Sequence, residues 1–507
     1  MTEQATSRTL VQALHQQLGA DGSAVELIET HISWVLLAGD SAYKIKKPVS
    51  LGFLDFGSLD RRRFFCQEEL RLNRRYAASI YLGVVAISGT PQQPQLGGDG
   101  PAIEYALHMR RFAPRALLSE QLADAKLQPA HIDSLAQRMA ALHASADPAP
   151  PGSRWGSAAE VADETQVVLQ RLHERGAEVA ELQRWWAEQI PRLSPLWQQR
   201  RDTGWVRECH GDLHLRNAVV LDDGVSAFDG LEFDPALRWI DVQSDIAFMA
   251  MDLLAHERAD LAWRFVNAWL DASGDHGGVP VLRSYLVHRA LVRALVGRIE
   301  ATASRPSADD YLALARQLAF EPPRPRLLLT HGLSGSGKTQ LTQGLLEHSG
   351  ALRLRSDVER KRLFGLAALD ASAPRVPLGI YGAEATRRTY QELESRARML
   401  LRAGYAVIVD AASLLRRERA QLCTLASEVG VPCTLLDCQA DPATLRQRVR
   451  ARRQRHDDAS EADESVLEQQ LQRDEPLSLQ ERAMAIEVRT DTPVDVAALA
   501  ARWAARA

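Results

Sequence analysis

Apolar residues recur along the chain at two different spacings, and the change from one to the other divides it. In the first hundred or so residues, short apolar runs alternate with turns. Trp34 to Leu37 is followed by Gly39-Asp40-Ser41, then by Ala42-Tyr43-Lys44-Ile45-Lys46, and later by Gly83 to Ser88. Runs of this length between turn residues predict strands. After a soft break at Arg110 to Pro114 the spacing lengthens to three and four, as at Leu135, Met139 and Leu142, which predicts helices. Within that region Val219-Val220-Leu221 and Val225 to Phe228 flank Asp222-Asp223-Gly224, a hairpin signal. The stretch Asp147-Pro148-Ala149-Pro150-Pro151-Gly152 reads as a loop. Farther on, Phe320-Glu321-Pro322-Pro323-Arg324-Pro325-Arg326 places three prolines in four residues, which stops a helix and stiffens a short linker. Strand-type runs then reappear at Leu327 to Thr330, at Leu352 to Asp357 and at Ala406 to Asp410, with a helical pattern at Gln340 to Glu347. The expected map is a mixed lobe over about 1–110, a helical lobe over about 111–318, a proline-rich linker at 319–325 and an α/β domain over 326–507.

Composition narrows the function classes. A chain of 507 residues exceeds a single hydrophobic core. Its 61 basic and 65 acidic residues give a net charge of −4, which argues against a protein that coats polyanions. The cysteines Cys66, Cys209, Cys423, Cys433 and Cys438 lack paired CxxC spacing, so neither a disulfide scaffold nor a zinc ribbon is expected. Residues 1–10 are polar and do not read as a signal peptide, and Asp252 interrupts the apolar run Ile246 to Leu254. A cytoplasmic protein without a membrane partner is the expectation. Only six of the 61 cations are lysines: Lys44, Lys46, Lys47, Lys126, Lys338 and Lys361. Where arginine is the default cation, a lysine marks a place that needs a compact ammonium group.

Residues 210–217 read His-Gly-Asp-Leu-His-Leu-Arg-Asn. The spacing from Asp212 to Asn217 equals that of a kinase catalytic loop, where the Asp accepts the acceptor's hydroxyl proton and the Asn holds Mg²⁺. The predicted hairpin folds Asp229 back beside Asn217, so two oxygen ligands converge as a hard cation requires. Glu232 is a candidate to join them. His210 is expected to support the loop backbone, and His214 to be structural or solvent-facing. The two lysines of the Ala42 to Lys46 strand share one face, and the helical segment Arg61 to Arg75 offers Glu69 or Glu68 as an ion partner. The plain alternative is two exposed lysines on an edge strand, with Asp212 capping a helix and Asp229 ending a strand.

These residues resemble the aminoglycoside phosphotransferase family, which includes choline-kinase-like small-molecule kinases, over roughly residues 25 to 315. The resemblance implies that Lys44, paired with Glu69, holds the α/β-phosphates. It implies further that Asp245, in the Asp241 to Asp245 stretch, braces the catalytic loop and that Met109 to Phe112 forms the adenine hinge. One departure stands out: Glu29-Thr30-His31-Ile32-Ser33 occupies the place of the family's glycine-rich phosphate loop.

Gly332-Leu333-Ser334-Gly335-Ser336-Gly337-Lys338-Thr339 satisfies the pattern GxxxxGK[ST] directly after a predicted strand and before a predicted helix. Its backbone N–H groups wrap phosphates, Lys338 reaches the β/γ-phosphates, and Thr339 offers a hydroxyl to Mg²⁺. Asp410, at the end of an apolar strand, completes the magnesium site. Asp357, at another strand's carboxyl end, is placed to take an acceptor's proton, with a helix N-cap as the alternative. The segment Thr444 to Arg455 carries six arginines, of which Arg448 and Arg452 fall on one helical face suited to a phosphate lid. The alternative is a solvated helix balanced by Asp457, Asp458, Glu461, Asp463 and Glu464. This half resembles the P-loop small kinases of the gluconate-kinase, polynucleotide-kinase and zeta-toxin type, whose lid matches Arg446 to Arg455.

The expected fold class is an α+β protein-kinase-like two-lobed domain followed by an α/β P-loop domain with a parallel sheet. The expected function is a bifunctional phosphotransferase using ATP or GTP with Mg²⁺, each domain acting on a small-molecule hydroxyl acceptor. Two alternatives are a nucleotide-sensing switch and a polynucleotide-end kinase. The acidic total and the lack of interleaved aromatics weigh against the second.

Overall fold

Alternating side chains explain the first sheet of the computed structural model, which describes residues 3–20, 22, 24–50, 54–300, 306–370, 380, 382–455 and 459–506. Strands β1 (Val25–Glu29), β2 (Ser33–Ala38), β3 (Ser41–Lys46), β4 (Tyr81–Thr90), β5 (Gln93–Leu96) and β6 (Glu104–Arg110) form an antiparallel sheet in the order β1-β2-β3-β6-β4-β5. Trp34, Leu36, Ile45, Ile87 and Ala106 bury one face against Leu10, Val11 and Leu14 of the helix Glu3–Leu18. The period of two then turns Lys44 and Lys46 to the opposite face. There the helix Leu59–Ala77, capped by the Ser58 side chain, packs on β4 and β6 and carries Glu69 inward.

Downstream, β7 (Val206–Glu208), β8 (Ala218–Leu221), β9 (Gly224–Ala227) and β10 (Trp239–Asp241) make two small antiparallel pairs. β8 and β9 form the expected hairpin, with Ala218 opposite Ala227 and Leu221 opposite Gly224. The loop 209–217 lies between β7 and β8.

The last sheet is parallel throughout: β11 (Leu327–His331), β12 (Leu352–Arg355), β13 (Val407–Asp410), β14 (Cys433–Gln439) and β15 (Ala485–Arg489), in the order β12-β13-β11-β14-β15. β11 is buried along its whole length, as the continuous run Leu327-Leu328-Leu329 requires of a strand covered on both faces. Its two neighbours, β13 and β14, continue in opposite directions across the sheet, so a crevice opens at its carboxyl end. β12 stops at Arg355, two residues short of the strand-type run. Ser356 and Asp357 instead open the helix Ser356–Leu363, because the chain must turn back over the sheet at this point.

The most compact packing does not follow the proline-rich segment. One unit comprises Met1–Glu164 and Ser194–Met249; the other comprises Thr165–Leu193 and Ala250–Ala507. Within the second unit, Asn267 of the helix Ala259–Ser273 covers the open edge of β12. Its Nδ2 donates to the Ala351 carbonyl at 3.0 Å, and its Oδ1 accepts from the Arg353 N–H at 2.7 Å. One side-chain amide thus stands in for a neighbouring strand, which removes an edge that would otherwise template misassociation.

Candidate active sites

Lys44 Nζ is bonded at once to Glu69 Oε1, at 2.7 Å, and to Asp229 Oδ1, at 2.6 Å. Lys46 Nζ bonds the other oxygen of Glu69 at 2.7 Å and also meets Glu232. Burial would lower the Lys44 pKa, but Asp229 and Glu69 outweigh it and hold the group well above the usual lysine range. Burial would likewise raise the Glu69 pKa, yet the two ammonium groups carry it down to about 2. Lys44, Lys46 and Glu69 are charged together, as buried ions must be when each needs the other.

Asp229 takes a left-handed backbone (φ 60°) uncommon outside glycine, and its N–H donates to the Tyr81 hydroxyl at 2.9 Å. Strain of this kind persists where the surroundings over-determine it. The Gly230 N–H donates to Asn73 Oδ1 at 2.7 Å, which fixes the next residue as well. Hairpin return is direct, since the Phe228 N–H donates to the Asn217 carbonyl at 3.0 Å. Asn217 Nδ2 donates to the Asp212 carbonyl and to Asp212 Oδ2, at 3.0 and 2.9 Å, leaving Oδ1 as its amide acceptor. An amide oxygen and an exposed carboxylate are the donor set a Mg²⁺ ion prefers, so Asn217 and Asp229 fit that ion.

Asp245 holds the loop from beneath. Its oxygens accept the N–H groups of His210 and Gly211, at 3.1 and 2.9 Å, and a 3.0 Å bond from His143 Nε2. Gly211 is required here: at φ 83°, a Cβ would stand 2.5 Å from the Leu237 carbonyl oxygen. Burial lowers the His210 pKa, and its Nε2 lies 2.9 Å from the Phe228 carbonyl, consistent with a backbone-supporting role. His214 is buried beside Asp212, at 3.4 Å, and does not face solvent. Glu232 is likewise taken up by Lys46 in a buried ion pair, which removes it from the expected metal shell. Glu68 pairs with Arg71 and Arg238 and leaves the lysine partnership to Glu69.

The region Glu29 to Ser33 is a tight β1–β2 turn. Thr30 Oγ1 accepts the Ser33 N–H at 3.0 Å, and Lys47 Nζ bonds Glu29 and the Thr30 carbonyl. Met109 to Phe112 run out of the end of β6, where the Arg111 N–H donates to the Asp40 carbonyl at 2.8 Å.

In the second unit the glycine loop bridges β11 to the helix Lys338–Ser349. Gly332 has φ 140°, and a Cβ would run into the Cys438 carbonyl oxygen, so the close passage over β14 demands glycine. Lys338 Nζ folds onto the loop, donating to the Gly332 and Leu333 carbonyls at 2.8 Å each. Burial lowers its pKa, with Asp410 opposing. Ser334, Gly335, Gly337, Lys338 and Thr339 line a cavity of about 630 Å³, together with Asp357, Asp410, Arg448 and Arg452. Ser336 is buried within the loop, 3.4 Å from Lys338 Nζ. Asp410 Oδ2 accepts from Thr342 Oγ1 at 3.1 Å, one helical turn beyond Thr339. A hydroxyl and a carboxylate on one wall fit a Mg²⁺ ion held partly through water.

The helix Pro442–Arg455 divides its arginines between two roles. Arg446 and Arg450 pair with Glu468 and Glu464 at the surface, as the solvated-helix alternative supposes. Arg448 and Arg452 face the cavity. Arg448 is tied down: Nη1 donates to the Gly335 carbonyl at 3.2 Å and Nη2 to the Thr490 carbonyl at 2.6 Å. Arg452 Nη2 donates to the Ala462 carbonyl at 2.9 Å. Asp457 and Asp458 lie outside the described residues, as do the side chains of Arg453 and Arg455. Arg448→Ala or Arg452→Ala is expected to lower turnover at this site about 10²-fold while nucleotide affinity changes little, the pattern of a contact made mainly in the transition state. Steady-state kinetics beside nucleotide titration check this, and wild-type turnover in the double variant would refute it.

Sequence reasoning did not find Asn73, Tyr81 or the Lys46–Glu232 pair, nor His331. Its ring lies between Asp437, 2.7 Å from Nδ1, and Asp474, 3.3 Å from Nε2, at the foot of the glycine loop. It also missed Arg355, Arg360 and Arg417 on the cavity wall. No motif signals these groups, because their partners are distant in sequence.

Residues 327–477 match the profile of the family described as AAA domain. Over 457 residues the chain is 28% identical to a protein of Mycobacterium tuberculosis and to one of Mycobacterium bovis, each described as uncharacterized, covering 87% of this chain and 89% of the relative. Similar solved structures include a choline/ethanolamine kinase family protein from Mesorhizobium loti, at 13% identity and a TM-score of 0.37, covering 61% of this chain and 95% of that one. A gluconokinase from Sinorhizobium meliloti is similar at 20% identity and a TM-score of 0.26, covering 36% and 93%.

Proposed function

We propose that this chain is a tandem ATP-dependent kinase, with each nucleotide site transferring a γ-phosphoryl group to the hydroxyl of a small molecule. One observation carries the reading. Asp212 Oδ2 is bonded to Asn217 Nδ2, and Asp357 lines the cavity of the glycine loop; nucleotide binding alone needs neither acid. At each site, the acceptor O–H gives its proton to the acid, its oxygen bonds the γ-phosphorus, and the bond to the bridging oxygen breaks to release ADP. Bound Mg²⁺ neutralises charge on the phosphate oxygens. Lys44 and Lys338 hold the triphosphates, Glu69 holds Lys44, and Arg448 and Arg452 stabilise charge that develops during transfer. We assign the domains to 1–318 and 326–507 with the proline-rich segment between them. We place the protein in the cytoplasm, where its five free thiols stay reduced. Among the described residues no helix is long and apolar enough to cross a membrane.

A second reading, that the first site senses nucleotide without turnover, is favoured by the Glu29 to Ser33 turn, which lacks glycine and is bonded to its own sheet. Nucleotide titration of the full chain tests the assignment of sites. Lys338→Ala is expected to remove one of two Mg·AMP-PNP sites and Asp229→Ala to weaken the other by at least tenfold. Unchanged stoichiometry and affinity in Lys338→Ala would refute the P-loop assignment.

A further inference from the structure

β12 reads Leu352-Arg353-Leu354-Arg355, and its period of two gives the leucines to one face of the sheet and the arginines to the other. Leu352 and Leu354 are fully buried, as core residues should be. Arg353 is buried as well, at 6% exposure, and enclosing a guanidinium carries a cost that only its bonds offset. Core packing alone would be served better by an aliphatic side chain, so the partners of this arginine show what it does.

Those partners belong to the magnesium end of the second site. Arg353 Nη1 donates to the Thr339 carbonyl and to Thr342 Oγ1, each at 3.3 Å, and Nη2 donates to Gln343 Oε1 at 2.9 Å. All three acceptors lie on the helix Lys338–Ser349, which the glycine loop opens. From the other side, Asp271 Oδ2 of the helix Ala259–Ser273 stands 3.8 Å from Nη2, and Asn267 Oδ1 accepts the Arg353 N–H at 2.7 Å. Burial lowers the Arg353 pKa, Arg355 and Arg264 add repulsion, and Asp271 and Asp410 oppose them.

Thr342 Oγ1 has two acceptors within reach, the Thr339 carbonyl and Asp410 Oδ2, both at 3.1 Å, yet a hydroxyl carries one proton. Thr342 is fully buried, so bulk solvent does not replace a missing bond. Arg353 decides between the two acceptors. Its bond to the Thr339 carbonyl satisfies that oxygen, and its bond to Thr342 Oγ1 takes up a lone pair there, so the hydroxyl proton goes to Asp410. The carboxylate suited to Mg²⁺ is thereby held through Oδ2.

We propose that Arg353 is a positioning residue for the second site: it directs the Thr342 hydroxyl onto Asp410 and so fixes that carboxylate for the Mg²⁺ that accompanies the nucleotide. The inference rests on the reading of that cavity as a magnesium-nucleotide site.

The test is calorimetric titration of the full chain with AMP-PNP at a series of Mg²⁺ concentrations and in EDTA, the second site being the binding that Lys338→Ala removes. Arg353→Met keeps the unbranched stem and loses the donors. It is expected to raise the Mg²⁺ concentration for half-maximal affinity by about tenfold, the usual effect of removing a group that orients a metal ligand. Affinity in EDTA should match the wild type. Thr342→Val loses only the hydroxyl and should show the same shift, and the double variant should add nothing further, because both changes cut one chain of bonds. If Arg353→Met does not fold, Arg353→Lys replaces it: the charge beside Asp271 stays, the forked donors are lost, and the Mg²⁺ requirement should rise in the same direction. Wild-type Mg²⁺ dependence in the Arg353 variant or in Thr342→Val overturns the proposal. So does an equal loss of affinity with Mg²⁺ and in EDTA, which is what a packing role alone would give, and so do shifts that multiply in the double variant. A wild-type chain whose AMP-PNP binding at that site is indifferent to Mg²⁺ would instead overturn the reading of the cavity beneath it.

Discussion

Asp212→Asn is expected to cut phosphoryl transfer at the first site by about 10²–10⁴-fold while leaving nucleotide affinity unchanged. Asparagine keeps the shape of the side chain and an oxygen to accept the 2.9 Å bond from Asn217 Nδ2, so the loop should stay in place. What disappears is the carboxylate to which the proposed mechanism assigns the acceptor's proton. Lys44, Glu69 and Asp229 form a separate constellation joined through Lys44 Nζ, so phosphate and metal contacts survive. Asp229→Ala should behave oppositely and lose Mg-nucleotide binding itself. Transfer rates from γ-labelled ATP, measured beside nucleotide titrations of both variants, check the division of roles. Identical behaviour of the two variants would contradict it.

Glu69→Gln is expected to destabilise the first unit by about 3–5 kcal/mol, the usual cost of removing one member of a buried ion set. Glu69 is fully buried and bonds both Lys44 and Lys46, so the amide would leave two ammonium groups enclosed with Asp229 and Glu232 as their remaining counter-charges. Acid unfolding supplies an independent check. The native Glu69 pKa lies near 2, below the ordinary 4.5. Its stabilisation is therefore fully present above about pH 4.5 and is lost as pH falls toward 2. Chemical denaturation of the wild type should show this loss, and Glu69→Gln should lack the Glu69 part of it. Equal stability of the two proteins at pH 7 would mean that the lysines are held by other means.

The scarcity of lysine was a better guide than any single motif. Five of the six are buried or partly buried: Lys44, Lys46, Lys47, Lys338 and Lys361. Lys126 alone is a surface cation. Lysine in an arginine-rich chain therefore marked compact, bonded sites. The two glycine-bearing motifs were legible because each requires backbone geometry that only glycine allows, as Gly211 and Gly332 show. The hairpin that returns Asp229 to Asn217 was legible because its turn chemistry is local.

Long-range partners were not legible. Glu232 was a candidate to join the metal shell because it follows Asp229 closely, yet the pleat of β3 brings Lys46 to it from residues far away in the chain. His214 was read as structural or solvent-facing, and sequence could not choose between them; it is buried and caps the 3₁₀ turn Leu215–Asn217, its Nδ1 accepting the Arg216 N–H. The six arginines after Thr444 gave two readings that sequence could not divide, because opposite faces of one helix meet different surroundings: Arg446 and Arg450 pair with surface glutamates, and Arg448 and Arg452 line the cavity. The cover that Asn267 gives β12 lay beyond any pattern, since its hydrogen bonds reach a strand over eighty residues later.

The most direct test of two working transfer sites is a metabolite extract incubated with γ-labelled ATP and the wild type, Asp212→Asn or Lys338→Ala. Two sets of labelled products are expected from the wild type, with Asp212→Asn losing one set and Lys338→Ala losing the other. Absence of any labelled product from the wild type, or loss of the same products in both variants, would contradict the account.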